Sequence, residues 1–552
     1  MVRGNFVHRI VIVLPFFTGC ANVQAPTHEA PPESPFLQRV RQVLSRVPPT
    51  LAKNHKTFAV PDGVVSGFGA GEAYPQIWLR DSSWIVDAAS AYYPVETLTS
   101  WLDLHLANAE RNGRLRDWVA SGSASAFREW APRAQEKAGI AFDTNSNESD
   151  QEPSASLAWC RIEALLGDKA SGEPATDARI TSLVKAMDAL VRDRTDPKTG
   201  LIWSGLTADW GDVSPIYPDQ RAIYLDSKTP RTLSLYSNVM AFAALDCLAS
   251  LEGPKVRQKA LAARASKLKD RIRSGFWMKD QGFFRIRLDL DPLPRGFSDD
   301  GDRFALGGNA LAALFGVADP AEADSIFTAA ERLRTANRFS TISTTLVPPY
   351  PTGVFQHPAM REPFQYQNGG QWDWFGAALV QAEFERGRSE QARAHLDQIA
   401  TRILKAGPGL HEWYAQDGSP KGSAAYAASA AALHNAVVKG LLGISRSSEG
   451  YRVVVRTGET LLPFEVKSRA AGTALIVSQT VGPAAIDVQV GGGAPLREIC
   501  SVIPDGRTPA EPPAGSADPP QSAHRIGSDT MICARVTSQP RPVRVRFALA
   551  PR

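Results

Sequence analysis

Residues 255–284 read KVRQKALAARASKLKDRIRSGFWMKDQGFF. Leu261, Ala265, Leu268 and Ile272 recur every three or four positions, which predicts a helix over 255–275 with one apolar stripe. The pattern then breaks. Phe276 and Trp277 are followed by Asp280, Gly282 and the pair Phe283 and Phe284, a glycine turn beside an aromatic, strand-like piece. The same phrase follows two other helical stretches. After 178–194 comes DPKTGLIW (196–203); after 387–406 comes LHEWY (410–414), then QDG (416–418). Residues 36–47 and 320–336 carry apolar residues at the same spacing. A helix–turn–aromatic unit that returns along a chain points to a repeat architecture. Dividing residues 36–443 among about twelve helices leaves about 33 residues for each helix and its loop, which suits a closed helical toroid. The expected fold is therefore mainly α, an (α/α)6 barrel over 36–443.

The period changes after Leu442. Residues 451–456, 464–467, 474–478, 486–490 and 543–547 alternate apolar and polar positions and predict strands. Residues 447–552 are thus expected to form a small β-sandwich. Residues 504–524, rich in Pro, Gly and Ser, interrupt it as an expected disordered loop. A chain of 552 residues suits one large domain plus a smaller one. Its net charge of +4 comes without a sustained Lys/Arg stripe, which argues against nucleic acid as a partner. The 12 Trp are suggestive, because an indole face fits the C–H face of a sugar ring, although many Trp serve as core.

The N-terminus reads as a targeting signal. Arg3, His8 and Arg9 precede the apolar run IVIVLPFF (10–17), which is too short to span a bilayer as a stable helix. The following FTGC (17–20) resembles the lipobox of bacterial lipoproteins. That resemblance implies a signal peptide over 1–20, acylation at Cys20 and a membrane attachment through the lipid alone. The other reading is a secretory signal cleaved within 21–25; both expect export, to the periplasm or the outer membrane. The Pro-rich residues 21–35 suit a tether. Cys160 and Cys247 lie in apolar helical sequence and are expected as buried thiols. Cys500 and Cys533 lie in strand-like sequence, where an oxidising compartment permits a disulfide. No CxxC or His/Cys cluster suggests zinc, and no metal or organic cofactor is expected.

Five motifs carry candidate chemistry. In YPQIWLRDSSW (74–84), Asp81 and Ser82 suit caps of a helix over 83–92, while Arg80 and Asp81 beside Trp78 offer fixed partners for sugar hydroxyls. In DTNSNESDQE (143–152), acids and amides stand at positions 1, 3 and 5 of a calcium-loop pattern. The pattern fails at position 6, Glu148, and at position 12, Ser154, so an EF-hand is rejected. In TADWGDV (207–213), Asp209 and Asp212 flank Trp210; a carboxyl against apolar rings holds its proton to higher pH, as a general acid must. In FQYQNGGQWDW (364–374), Gly369 and Gly370 permit a tight turn among Asn368, Trp372 and other sugar-contacting types. In LHEWY (410–414), Glu412 lies between His411 and the aromatics Trp413 and Tyr414.

Over about residues 70–443 these motifs, in this order, resemble six-hairpin (α/α)6-barrel glycoside hydrolases: glucoamylases, debranching-type amylo-1,6-glucosidases and neutral trehalases and invertases. The resemblance implies that Arg80 and Asp81 hold the sugar beside the scissile bond, with Asp150 and Gln151 on a further binding loop. It aligns Asp212 with the general acid, with Asp209 as the alternative, and Glu412 with the general base. Asn368 and Gly369 match the Asn-Gly loop, and Trp78, Trp210, Trp372, Trp413 and Tyr414 are candidate walls or contacts. The β-region is similar to those behind the barrel in α-rhamnosidases and some phosphorylases. The expected activity is inverting hydrolysis of a glycosidic bond in an oligo- or polysaccharide, which needs about 6.5–9.5 Å between the two carboxyl groups. Two other readings stay open: a polysaccharide lyase on the same toroid, which needs a Tyr or His base and a charge-neutralising group at a uronate, and a non-catalytic glycan-binding lipoprotein.

Overall fold

The apolar stripes read from the sequence become packed helices. The computed structural model describes residues 32–550 except 62, 125–130, 168–173, 252, 298–301, 448, 511–520 and 537–541. The expected signal peptide and Cys20 lie outside the described residues, as does the tether up to residue 31. The helices run α1 (Pro35–Leu44), α2 (Val47–Asn54), α3 (Leu79–Ala89), α4 (Val95–Ala107), α5 (Gln151–Leu166), α6 (Pro174–Arg194), α7 (Leu235–Ser250), α8 (Lys255–Phe276), α9 (Leu306–Leu314), α10 (Pro320–Ala336), α11 (Asp373–Glu385), α12 (Ser389–Lys405) and α13 (Ala427–Asn435).

Six of them, α3, α5, α7, α9, α11 and α13, pack each on the next, and α13 returns to α3. This ring is closed. Its members are buried almost all round: every residue of α3 and nearly every residue of α11 is inaccessible. Four of them, α5, α7, α11 and α13, show little one-sided stripe, because they are covered on both faces. The alternate helices α4, α6, α8, α10 and α12 pack outside them and carry the amphipathic pattern. In α8, Leu261, Ala265, Leu268, Ile272 and Phe276 are the buried positions.

The repeated phrase after outer helices is a set of tight hairpins. Trp277–Met278 pairs with Phe283–Phe284 after α8, and Trp413–Tyr414 pairs with Pro420–Lys421 after α12. After α6 the link is a single bridge between Thr195 and Ile202.

Three boundaries differ from the reading of the sequence. The stretch 36–47 is two helices, broken at Ser45 and Arg46, because Pro48 and Pro49 have no N–H to continue the hydrogen bonds of the first helix and suit the opening turn of the next. Folding begins inside the expected tether: Ser34 Oγ accepts the Leu37 N–H (3.3 Å) as the N-cap of α1, and Glu33 pairs with Arg41 at 2.8 Å. The expected interruption at 504–524 ends earlier, because Gln521–Ile526 is a strand paired with Asp529–Arg535.

Past the ring the strands form a five-stranded sheet and a four-stranded sheet. The first runs in spatial order Ser445–Ser447, Gly450–Val455, Leu496–Val502, Asp529–Arg535, Gln521–Ile526; the second is the meander Leu461–Ser468, Thr473–Val481, Ala485–Gly492, closed by Val543–Ala548. Helices and sheets from Glu33 onward belong to one compact unit. The Asp529 carboxylate accepts Ser389 Oγ–H at 2.5 Å, and Arg456 donates to the Gly440 carbonyl, so the strand region is tied to the ends of the helices. Cys500 and Cys533 face each other across neighbouring antiparallel strands and form a disulfide. Cys160 and Cys247 are not free thiols as expected. They sit on the adjacent ring helices α5 and α7, with Cα atoms 6.4 Å apart, and are bonded.

Candidate active site

The N-terminal ends of α3, α11 and α13, with the loops ahead of α5, α7 and α13, line a cavity of about 370 Å³. The first helix shows how side chains are delivered to it. The short strand Ile77–Trp78 pairs with Trp118 and Val119, and the Leu79 N–H donates to the Asp117 carbonyl at 3.0 Å. That bond satisfies one of the helix's unpaired donors, and no side chain caps it. The helix therefore starts at Leu79, not at Ser83 as expected, and Asp81 is a first-turn residue with its carboxyl released into the cavity.

Five carboxylates line this cavity: Asp81, Asp117, Asp212, Asp219 and Glu412. Asp219 is partly exposed and is paired with Arg221 at 2.9 Å; Asp212 is also partly exposed, whereas Asp81, Asp117 and Glu412 are buried. Asp212 Oδ1 accepts the Gln367 Nε2–H at 2.9 Å, and its carbonyl accepts Asn145 Nδ2–H at 2.8 Å. Glu412 is 3% exposed. Its Oε2 accepts the Ser423 N–H (3.0 Å) and the Tyr74 hydroxyl (3.3 Å). Oδ2 of Asp212 and Oε1 of Glu412 accept no hydrogen bond from the described residues. Burial pushes the Glu412 carboxyl up to about 7, against the two hydrogen bonds that lower it. Burial likewise raises Asp81 to about 6 and holds Asp117 well above the carboxylate range, against the opposing pull of Arg80.

Arg80 is the one Lys or Arg side chain in the described lining, and it is already neutralised. Its Nε donates to Asp150 at 2.6 Å, and it pairs with Glu148. Tyr236 Oη–H adds a bond to Asp150 at 2.9 Å. The loop that matches a calcium loop at only three positions thus serves the site from behind: Glu148 and Asp150 fix Arg80, and Asn145 fixes the backbone at Asp212.

Aromatic rings form the walls. Trp78, Trp118, Trp210, Tyr366, Trp372, Trp374 and Tyr426 all line the cavity. Trp210 meets Trp372 edge-on with centroids 4.6 Å apart, and Trp372 Nε1–H donates to the Tyr366 carbonyl at 3.1 Å. Two glycines permit close approach. A Cβ at Gly370 would stand 2.4 Å from the Tyr366 carbonyl, and one at Gly422, whose φ is +66°, would stand 2.4 Å from Glu412 Oε2.

Of the residues expected from the sequence, Trp78, Arg80, Asp81, Trp210, Asp212, Trp372 and Glu412 meet on this one cavity. The others stand outside it. Asp209 points away: its carboxylate accepts the Gly308 N–H at the start of α9 (3.2 Å), and burial raises it to about 7. Gln151 lies in the first turn of α5 and donates to the Asn145 carbonyl at 2.9 Å. Asn368 is enclosed, bonded through Nδ2 to the carbonyls of Tyr350 and Met360, and the Gly369 N–H donates to Thr345 Oγ1. Trp413 meets Tyr366 edge-on with centroids 6.1 Å apart, and Tyr414 lies fully buried under the Arg402 guanidinium. Reading of the sequence missed Tyr74, Asp117, Gln367, Tyr366 and Tyr426. Tyr74, Tyr366 and Gln367 stood inside quoted motifs, whereas Asp117 has no motif around it and needed the strand pairing at 77–78 to place it.

No protein-family model matches the chain, and no curated protein sequence does. Solved structures do. The fold is shared with glycoside hydrolases. The GH63 mannosylglycerate hydrolase of Thermus thermophilus, in complex with glucose, aligns with a TM-score of 0.52 at 15% identity, covering 71% of this chain and 99% of that one. A GH78 rhamnosidase of a Bacillus species aligns at 0.53 and 17% identity, over 80% of this chain and 39% of its own. The α-L-rhamnosidase of Streptomyces avermitilis, complexed with L-rhamnose, aligns at 0.51 and 12% identity, over 94% of this chain and 41% of its own. At these identities the likeness is one of fold.

Proposed function

We propose that the protein is a glycoside hydrolase with an (α/α)6 barrel, which cleaves the O-glycosidic bond of a neutral sugar with inversion. The pair Asp212 and Glu412 carries this reading. Both line one aromatic cavity, and each has one oxygen held by the protein and the other unbonded among the described residues. Asp212 protonates the leaving oxygen, and Glu412 takes a proton from a water on the opposite face of the sugar ring. The proton lost to the leaving group is thus matched by one gained at Glu412. Asp81, with Tyr426 bonded to it at 3.0 Å, and the adjacent Arg80 orient the sugar hydroxyls, and the Trp faces cover its C–H side. Asp209 is not needed in this scheme, because its carboxylate is committed to α9.

The charge of the cavity supports a neutral sugar over a uronate. Five carboxylates face one Arg that already has two acidic partners, and burial lowers the pKa of His357, which also lines the cavity. No free cation is left in the described lining at neutral pH to neutralise a uronate, as a lyase requires. The glycoside hydrolases of like fold support the same class. Asp212→Asn and Glu412→Gln are expected to lower turnover of a cleavable aryl glycoside by at least about 10³-fold while sugar binding persists. NMR of the first anomer released checks inversion; a retained anomer sinks the scheme, and a protein with no turnover on any glycoside is a binder. We propose in addition that residues 1–20 direct export and that Cys20 carries lipid. Incorporation of labelled palmitate, lost in Cys20→Ala, checks that part.

A further inference from the structure

A second cavity, of about 690 Å³, opens at the opposite, C-terminal ends of the ring helices, where they meet the strands. Its size is within the usual range for small-molecule sites. Its lining is the electrostatic opposite of the first. Arg161, Lys439, Arg446, Arg452, Arg456 and Lys467 face it, against the carboxylates Asp87 and Glu385. Four of these cations are already answered. Asp87 holds Lys439 at 2.6 Å and Arg161 at 3.4 Å, Glu498 holds Arg452, and Glu465 holds Lys467 at 2.9 Å.

Arg446 and Arg456 are different. Each gives Nη1 to a carbonyl near a helix end, Leu165 for one and Gly440 for the other. Capping of helix ends by cations is ordinary and accounts for that donor. It does not account for Nε and Nη2, which in both residues make no hydrogen bond among the described residues. Glu385, the carboxylate nearest Arg456 in influence, is held at Oε1 by Gln381 (2.8 Å), and burial raises its pKa, which weakens it as a counter-ion. Two planar guanidinium groups with open donors line this one cavity, and a guanidinium fork suits an oxyanion. Tyr451 and Thr473, 3.2 Å apart through their hydroxyls, add neutral hydrogen-bonding groups, and Phe315 and Leu475 add an apolar surface.

We propose that this cavity is a second ligand site, which takes a small molecule bearing a phosphate or carboxylate group between Arg446 and Arg456. Titration calorimetry on the full chain with inorganic phosphate, glucose 6-phosphate and glucuronate tests it. Saturable binding of at least one probe is expected. It should persist in Asp212→Asn, where the first cavity is altered, and weaken by about tenfold or more in Arg446→Gln and in Arg456→Gln. Binding of the phosphates alone identifies a phosphate ester as the ligand class, and binding of glucuronate alone identifies a carboxylate. Arg446 is exposed, so its substitution keeps the test valid if the half-buried Arg456 is needed for folding. The proposal is overturned if no probe binds, if Arg446→Gln binds as the unaltered protein does, or if binding is lost in Asp212→Asn.

Discussion

At the scale of single residues, the decisive question is the ionisation of Glu412. Burial raises it to about 7, while the Ser423 N–H and the Tyr74 hydroxyl hold it from rising further. In the proposed mechanism Glu412 is the general base, which works only when ionised, so kcat/KM should climb as pH rises through about 7. Tyr74→Phe removes one bond that favours the charged form, so the climb should move to higher pH by about 0.5–1 unit. A pH–rate profile that does not move would mean that Glu412 is not the base. This residue was legible in the sequence, because a Glu between His and Trp-Tyr ahead of the last helix is an unusual local pattern. The choice between Asp209 and Asp212 was not. The two acids stand three residues apart in one motif, and the backbone between them decides where each carboxylate goes. Asp209 adopts φ +67° and turns to α9, leaving Asp212 on the cavity.

At the scale of elements, the outer helices were legible because one side meets water and the other meets the ring. Most of the buried ring helices lack that contrast, and what holds the layers together includes polar links that no periodicity reveals. His395 on α12 lies between Glu383 of α11, at 2.9 Å, and Glu331 of α10, at 3.1 Å. Burial alone would lower the imidazolium pKa; the two carboxylates, Glu383 foremost, outweigh it and raise it to about 9. A raised His pKa gives stability that is fully present below about 6.5, its ordinary value, and is lost as pH rises through about 9. His395→Leu is expected to destabilise by about 3–5 kcal/mol at pH 6, because it strands the buried Glu383. The loss should shrink toward pH 10. Denaturant melts at the two pH values check both the size and the trend.

At the scale of the whole molecule, the ring closes between elements distant in the chain. The Tyr426 hydroxyl donates to Asp81 across 345 residues, joining the last ring helix to the first. The disulfide between Cys160 and Cys247 staples α5 to α7 across 87 residues. By the chain-entropy relation a loop of that size is worth up to about 4–5 kcal/mol. Cys160→Ser should therefore lower the melting temperature, and a reducing agent, which also opens Cys500–Cys533, should lower that of the unaltered protein at least as far. A Cys160→Ser variant that melts with the unaltered protein would argue that this bond contributes nothing. The pairing was hidden in the sequence, where each Cys reads as a small apolar residue on a helix, and only the adjacency of the two helices brings the sulfurs together.

The order of residues alone determined the helical period, the change to strands after Leu442 and the motifs that bear Arg80, Asp81, Asp212 and Glu412, because periodicity and motif are properties of neighbours in the chain. It also sufficed to expect a closed toroid. The tertiary structure alone decided that Asp117, Gln367 and Tyr426 share the cavity, that Asp150 serves Arg80 from behind, and that a basic cavity lies at the far end of the ring. Those facts depend on which helix ends meet in space, and packing and hydrogen bonding between distant segments set that meeting.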